Sequence, residues 1–133
     1  MSHAAARNAI QVHVAANWTA APVAYDNAAF AKPNDAPWVR LSILNGFGGG
    51  VSLGTPRRYR FTGIVVFAIF VPEETGPSLA AQLADQAIAL FEAQKLAGGV
   101  VFEDVFAAEQ GNDPEGPWFR IDVQANYRFD VVR

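Results

Sequence analysis

The chain contains no cysteine, and its charged residues amount to only 17% of 133 positions. The first absence rules out disulfide staples, thiolate zinc sites and thiol nucleophiles. The second, with a formal net charge of minus 3, rules out a polycationic nucleic-acid binder and a disordered acidic tail. Histidine is scarce as well. His3 and His13 lie ten residues apart without an H-E-x-x-H pattern, so a metal site would lack ligands. The longest apolar run, Ile64 to Val71, is too short for a membrane helix. The alanine-rich start lacks a basic n-region and does not read as a signal peptide. These absences predict a soluble protein made in the cytoplasm, with no cofactor, no metal and no membrane partner.

Hydrophobic residues make up 51% of the chain and aromatics 12%, enough for one globular domain spanning residues 1–133 with a substantial core. The clearest pattern is at the end. From Trp118 to Asp130, Phe119, Ile121, Val123, Ala125, Tyr127 and Phe129 alternate with Arg120, Asp122, Gln124, Asn126 and Arg128, the period of a strand with one apolar and one polar face. At roughly 3.3 Å per residue this strand would run about 40 Å, and part of it is expected to reach beyond the subunit.

Ala6, Ile10, Val14 and Trp18 fall on one stripe of a helix from Ala4 to Asn17. Pro22 to Tyr25 reads as a brief extended piece, and Trp38 to Leu44 as a strand. Asn45 to Tyr59, with five glycines, reads as a long loop, mobile in a free subunit. Arg60 to Val71 becomes apolar on both faces, as expected of a central strand. A second helix starts at Pro77 with Ser78 as its N-cap, buries Leu79, Leu83, Ala87, Leu90 and Phe91, and stops at Gly98 and Gly99. Val100 to Phe106 is a further strand and Gln110 to Pro117 a polar turn. The order α, short β, β, β, α, β, β predicts an α+β fold: a mixed, mostly antiparallel sheet of about four to five strands with two helices packed on one face. Trp18, Trp38 and Trp118 are expected in or at the edge of the core.

Catalytic patterns are present only in fragments. Gly50 to Gly54 spells G-x-S-x-G around Ser52, but that chemistry needs a helix after the serine and a later histidine. Thr55-Pro56 blocks the helix, and both histidines lie upstream. Gly49 to Gly54 also has the glycine spacing of a phosphate loop without its lysine. The carboxylate pairs Glu73-Glu74 and Glu103-Asp104 are adjacent in sequence, which on a strand sends them to opposite faces.

Charge is segregated. Between Ala36 and Pro72 only Arg40, Arg57, Arg58 and Arg60 are charged; between Ala97 and Phe119 only Glu103, Asp104, Glu109, Asp113 and Glu115 are. Either this is ordinary surface scatter, or one copy's basic segment complements the next copy's acidic one in a head-to-tail contact. On the second reading, Arg57, Arg58 and Arg60 of one subunit meet Glu103, Asp104, Glu109 and Asp113 of its neighbour.

Nearly the whole chain resembles a known family. The first helix, Pro22-Val23-Ala24-Tyr25-Asp26-Asn27 with Phe30, Trp38-Val39-Arg40, Ser52-Leu53-Gly54, Arg58-Tyr59-Arg60 leading to Thr62-Gly63, and the closing Trp118-Phe119-Arg120-Ile121-Asp122-Val123 are similar in order and spacing to the tail terminator proteins of long-tailed bacteriophages and prophages. The resemblance implies a structural virion protein without catalytic residues. It would form a homohexameric ring that caps the head-proximal end of the tail tube, stops its polymerisation and offers a surface for head-tail joining. Its partners would be other copies of itself, the tail tube protein and the head-completion protein. It would be made in the host cytoplasm and reside in the virion tail. DNA would pass through the lumen without specific binding, for which a net negative subunit is suited. The alternative functions are a small serine hydrolase using Ser52 and a monomeric small-molecule-binding domain.

Overall fold

The computed structural model describes residues 1–114 and 116–133. The first helix, α1 (His3–Asn17), starts where the Ser2 hydroxyl accepts the Ala5 N–H at 3.1 Å, satisfying one of the unpaired amides at a helix start. It buries Ala6, Ile10 and Val14, the stripe that the 3.6-residue period requires. Strands β1 (Val23–Tyr25), β2 (Trp38–Gly50) and β3 (Arg58–Pro72) precede the second helix, α2 (Pro77–Phe91); β4 (Val101–Asn112) and β5 (Trp118–Val132) follow it.

The five strands form one sheet in the order β1-β2-β3-β5-β4. Among the described residues only β1 against β2 is parallel. Both helices lie on the same face, where α1 and α2 contribute to a core with Val39, Leu41 and Ile43 of β2, Val65, Phe67, Ile69 and Val71 of β3, and Val123, Ala125, Tyr127 and Phe129 of β5. Phe67 sits at its centre, edge-on to Trp18 at 4.9 Å and to Phe91 at 5.6 Å. The second apolar face of β3 has its own use. Phe70 stacks on Trp38 at 4.2 Å, Trp118 meets Trp38 edge-on at 6.1 Å, and Ala24 and Ala68 complete a small cluster with Phe30 packed against it.

Four boundaries depart from expectation, each for a local reason. Most of the glycine-rich loop is strand: β2 continues to Gly50, pairing Gly48 with Phe61, Gly49 with Arg60 and Gly50 with Tyr59 after a bulge between Asn45 and Gly48. Glycines carry no side chain to alternate, so they erase the two-residue pattern while permitting the pairing. At Gly48 the glycine is required, because the Phe61 ring lies where a Cβ would stand.

Helix α2 takes Gly76 as its N-cap and Pro77 in its first turn, the position that proline's fixed φ and missing N–H suit. Ser78 therefore lies inside the first turn. The helix ends at Phe91 rather than at Gly98. Ala93 adopts a left-handed φ of 57°, after which Gln94 O accepts the Phe102 N–H at 3.0 Å and Leu96 N–H donates to Val100 O at 2.8 Å.

Strand β4 runs six residues past Phe106. Bulges at Phe102/Val105 and Glu109/Gly111 throw its side chains out of alternation, which hides an edge strand from a periodicity test. Glu103 and Asp104 fall in the first bulge and are both exposed.

Strand β5 follows the predicted alternation and pairs with β3 along its whole length, from Arg58↔Val132 to Pro72↔Trp118. On its polar face Asp122, only 5% exposed, receives Arg120 Nε at 2.7 Å and Nη2 at 3.0 Å. The Arg120 guanidinium also lies 5.5 Å from the Phe70 ring centre.

Mid-strand, Gly63 faces Tyr127, whose ring occupies the space of a Cβ. Tyr127 is 2% exposed and cannot yield without disturbing the core. Gly63→Ala should therefore destabilise the fold by about 1–3 kcal/mol through overpacking, against the small gain alanine usually brings to a strand. Urea unfolding measures it, and an unchanged midpoint would refute the close approach.

Candidate functional site

Beyond the helices, the ends of β2, β3 and β5 continue as a three-stranded arm. Its turn, residues 51–57, is held by Val51 N–H donating to Arg58 O at 2.9 Å and by Arg58 N–H donating to the Ser52 hydroxyl at 2.7 Å. Backbone bonds between Arg57 and Arg133, at 3.0 and 2.9 Å, extend the β3–β5 pairing one step further. Arg133 also lies over the rings of Tyr59 and Phe61.

The arm exposes apolar side chains. Leu53 is 91% and Phe47 79% exposed, with Val51 and Val132 also open to solvent.

The predicted basic residues lie on this arm, but two are engaged within the chain. Arg60 grips Asp130 with two hydrogen bonds, Nε at 2.9 Å and Nη2 at 3.1 Å, and Arg58 Nη1 reaches the same carboxylate at 3.3 Å. Register explains the pairing: Arg60 and Asp130 are direct cross-strand neighbours. The Arg60 hydrogen bond, with the charges of Arg60 and Arg58, holds the Asp130 carboxyl below its ordinary range against partial desolvation. The same bond raises Arg60. Arg57 is exposed and makes no ion pair among the described residues.

The acidic residues do not form one patch. Glu103 sits at the arm end of β4, 3.8 Å from Arg128, with exposed Asp104 beside it. Glu109 and Asp113 lie towards the other end, where Asn112 pairs with Phe119, and Asp113 contributes to raising the pKa of Arg120. Glu115 lies outside the described residues. Thus the fold brings Arg57, Arg58, Arg60, Glu103 and Asp104 to one end of the sheet and puts Glu109 and Asp113 at the opposite end.

Ser52 is part of the turn. Strand β3, not a helix, follows it. The histidines are engaged elsewhere: His3 packs edge-on against Phe61 and Phe129, and His13 Nε2–H donates to Leu90 O at 2.7 Å.

A second surface was invisible in the sequence. Along the outer side of α1 an open groove of about 520 Å³ is lined by Met1, Ala5, Ala9, Val12, Leu96 and Ala97 together with the polar Asn8, His13 and Asn17, and Val12 is 58% exposed. It exists because the segment after α2 folds back beside α1, a tertiary contact with no local signature. Asp130 was missed for the same reason. The exposed Phe47 and Leu53 did leave a trace, as large apolar residues inside a glycine-rich stretch.

Removing the Asp130 charge tests the arginine clamp. Because its pKa is lowered on folding, Asp130 adds stability above the unfolded carboxyl value of about 3.9, and this is lost as pH falls below it. Asp130→Asn should lower the urea midpoint at pH 6 slightly and flatten its decline between about pH 4 and pH 2. Parallel acid profiles for the two proteins would refute the linkage.

Comparison with known proteins adds three findings. A family model described as phage tail terminator protein matches residues 3–127. One solved structure without a functional name shares the fold with a TM-score of 0.71 at 20% identity, covering 100% of this chain and 96% of that chain. The search of curated proteins finds no match. No helix among the described residues is long and apolar enough to cross a membrane.

Proposed function

Because the chain belongs to the phage tail terminator family, we propose that it is a structural virion protein that closes the head-proximal end of the tail tube as a ring of about six copies, a closed cyclic assembly. The family match over residues 3–127 carries this reading. The ring stops tube polymerisation and presents a surface for head-tail joining, with the tail tube protein on one side and the head-completion protein on the other. DNA passes through the lumen, and the net charge of minus 3 suits a conduit that must not grip phosphates. The protein works in the host cytoplasm during assembly and in the tail thereafter.

Nothing in this role requires catalysis. The Ser52 hydroxyl already accepts the Arg58 amide, which supports a turn-forming role over a nucleophilic one. A fluorophosphonate probe should leave the protein unlabelled, and labelling lost in Ser52→Ala would return the hydrolase reading to the front.

The ring contact is head to tail, joining two different surfaces of the subunit. The arginine-bearing arm, led by Arg57, which makes no ion pair among the described residues, meets the near end of the neighbour's β4, which carries Glu103 and Asp104; Glu109 and Asp113, at the opposite end, lie outside this contact. Exposed pairs of this kind contribute about 0 to 1 kcal/mol each, and they act on register and assembly rate and weaken with salt. Light scattering and negative-stain images, with and without purified tail tubes, should show rings with close to six times the 14.3 kDa chain mass. A monomer that neither forms rings nor binds tube ends would exclude the role.

Arg57→Glu is the cleanest charge variant, since reversing Arg58 or Arg60 would also break the clamp on Asp130. It should slow ring formation several-fold at low salt with unfolding unchanged, and reversal of the facing acid should restore part of the rate. An unaffected rate would place Arg57 towards solvent or the lumen.

A further inference from the structure

We infer that the apolar tip of the arm is the plug of the subunit contact, and that its socket is the groove along α1 of the next copy. The inference rests on the ring reading, to which it adds the residues that hold neighbours together.

The plug is built from Val51 and Leu53, with Phe47 at its base. Residues 48–56 carry no charged side chain, and Leu53, 91% exposed, is not covered by its own chain. A leucine held at the end of a hydrogen-bonded strand pair is pre-positioned for insertion, and insertion into a partner removes it from water.

The socket's lining is mostly small and apolar, with Asn8, His13 and Asn17 as its polar members. Ala5, Ala9, Val12, Leu96 and Ala97 line the groove, and the alanines leave the depth that a leucine would fill. Among the described residues no Asp, Glu, Lys or Arg side chain lines it.

Arg57 and Arg58 directly follow the tip in the chain. Beside the socket, Leu96 is hydrogen-bonded to Val100; exposed Lys95 precedes it, bridged to Val101, and the strand that starts there carries exposed Glu103 and Asp104 within its first residues. A tip seated against Leu96 therefore brings Arg57 towards Asp104, the acid at this end without an ion pair among the described residues. A second copy of this chain is thus the occupant, because the same molecule supplies an uncharged apolar projection followed by Arg57, unpaired among the described residues, and a largely apolar recess with exposed Asp104 nearby. The two surfaces differ, as a head-to-tail contact requires.

The natural absence of cysteine makes the test direct. Full-length Val12→Cys and Leu53→Cys proteins are mixed, assembled and treated with oxidant or a short bismaleimide, then run on a denaturing gel. A covalent heterodimer is expected from the mixture and a ladder up to the full ring from the double variant, while each single variant alone stays monomeric on the gel. Separately, Leu53→Asp should reduce the ring fraction at least tenfold with the monomer's thermal unfolding unchanged, since the residue is exposed. Rings that form normally but give no cross-link, or cross-linking of Leu53→Cys to itself, would overturn the plug-and-socket contact and leave the ring reading standing. Wild-type protein that forms no ring, alone or on tubes, would remove both.

Discussion

The antiparallel pairing of β3 with β5 is the constraint on which the rest of the structure depends. It holds unbroken register over fifteen residues of each strand, placing the apolar residues of both under the two helices. Because a shift by one residue would turn every side chain to the wrong face, this register also decides which polar groups meet. It sets Tyr127 across Gly63 and Asp130 beside Arg60. It also carries three strands past the helices, so that the arm is an extension of the core sheet and not an independent loop.

That continuity gives the arm backbone pairing almost to its turn. A tip of glycines, a serine and a leucine would be costly to order on its own, but here the pairing extends through Gly50↔Tyr59 and on to the Arg57–Arg133 backbone bonds. The Arg60–Asp130–Arg58 clamp ties β3 to β5 near the base of the turn. In the assembly proposed here this clamp has a positional role, because exposed ion pairs add little stability by themselves. Full burial of a leucine side chain contributes about 1.5–3 kcal/mol, more than any one of the exposed pairs. Apolar burial would then hold neighbours together, and charge would choose their register.

The remaining surfaces fit the same division. The sheet face away from the helices is only partly covered, by the Trp38, Phe70 and Trp118 cluster, and on it Leu44, Ile64 and Phe106 remain exposed. Strand β4, the long edge of the sheet, is twice bulged and lined with exposed carboxylates, devices that discourage indiscriminate edge pairing. In the ring proposed here, such protection would limit each subunit to its intended neighbours.

Much of the fold was legible in the sequence because it is written in local periodicity. The Ala6, Ile10 and Val14 stripe, the alternation from Trp118 to Asp130 and the doubly apolar run of β3 each report a face that must be buried, whatever it is buried against. Side-chain patterns fail where glycine removes the side chain, as in β2 beyond Asn45, and where a bulge breaks the period, as in β4. The sequence by itself determined the elements, their order and the two-layer class, since these follow from where hydrophobic side chains recur. Tertiary structure alone decided that Arg58 and Arg60 are held by Asp130, that the acidic residues divide between two ends of β4, and that α1 bears a groove, because each depends on strand register or chain reversal between residues far apart in sequence.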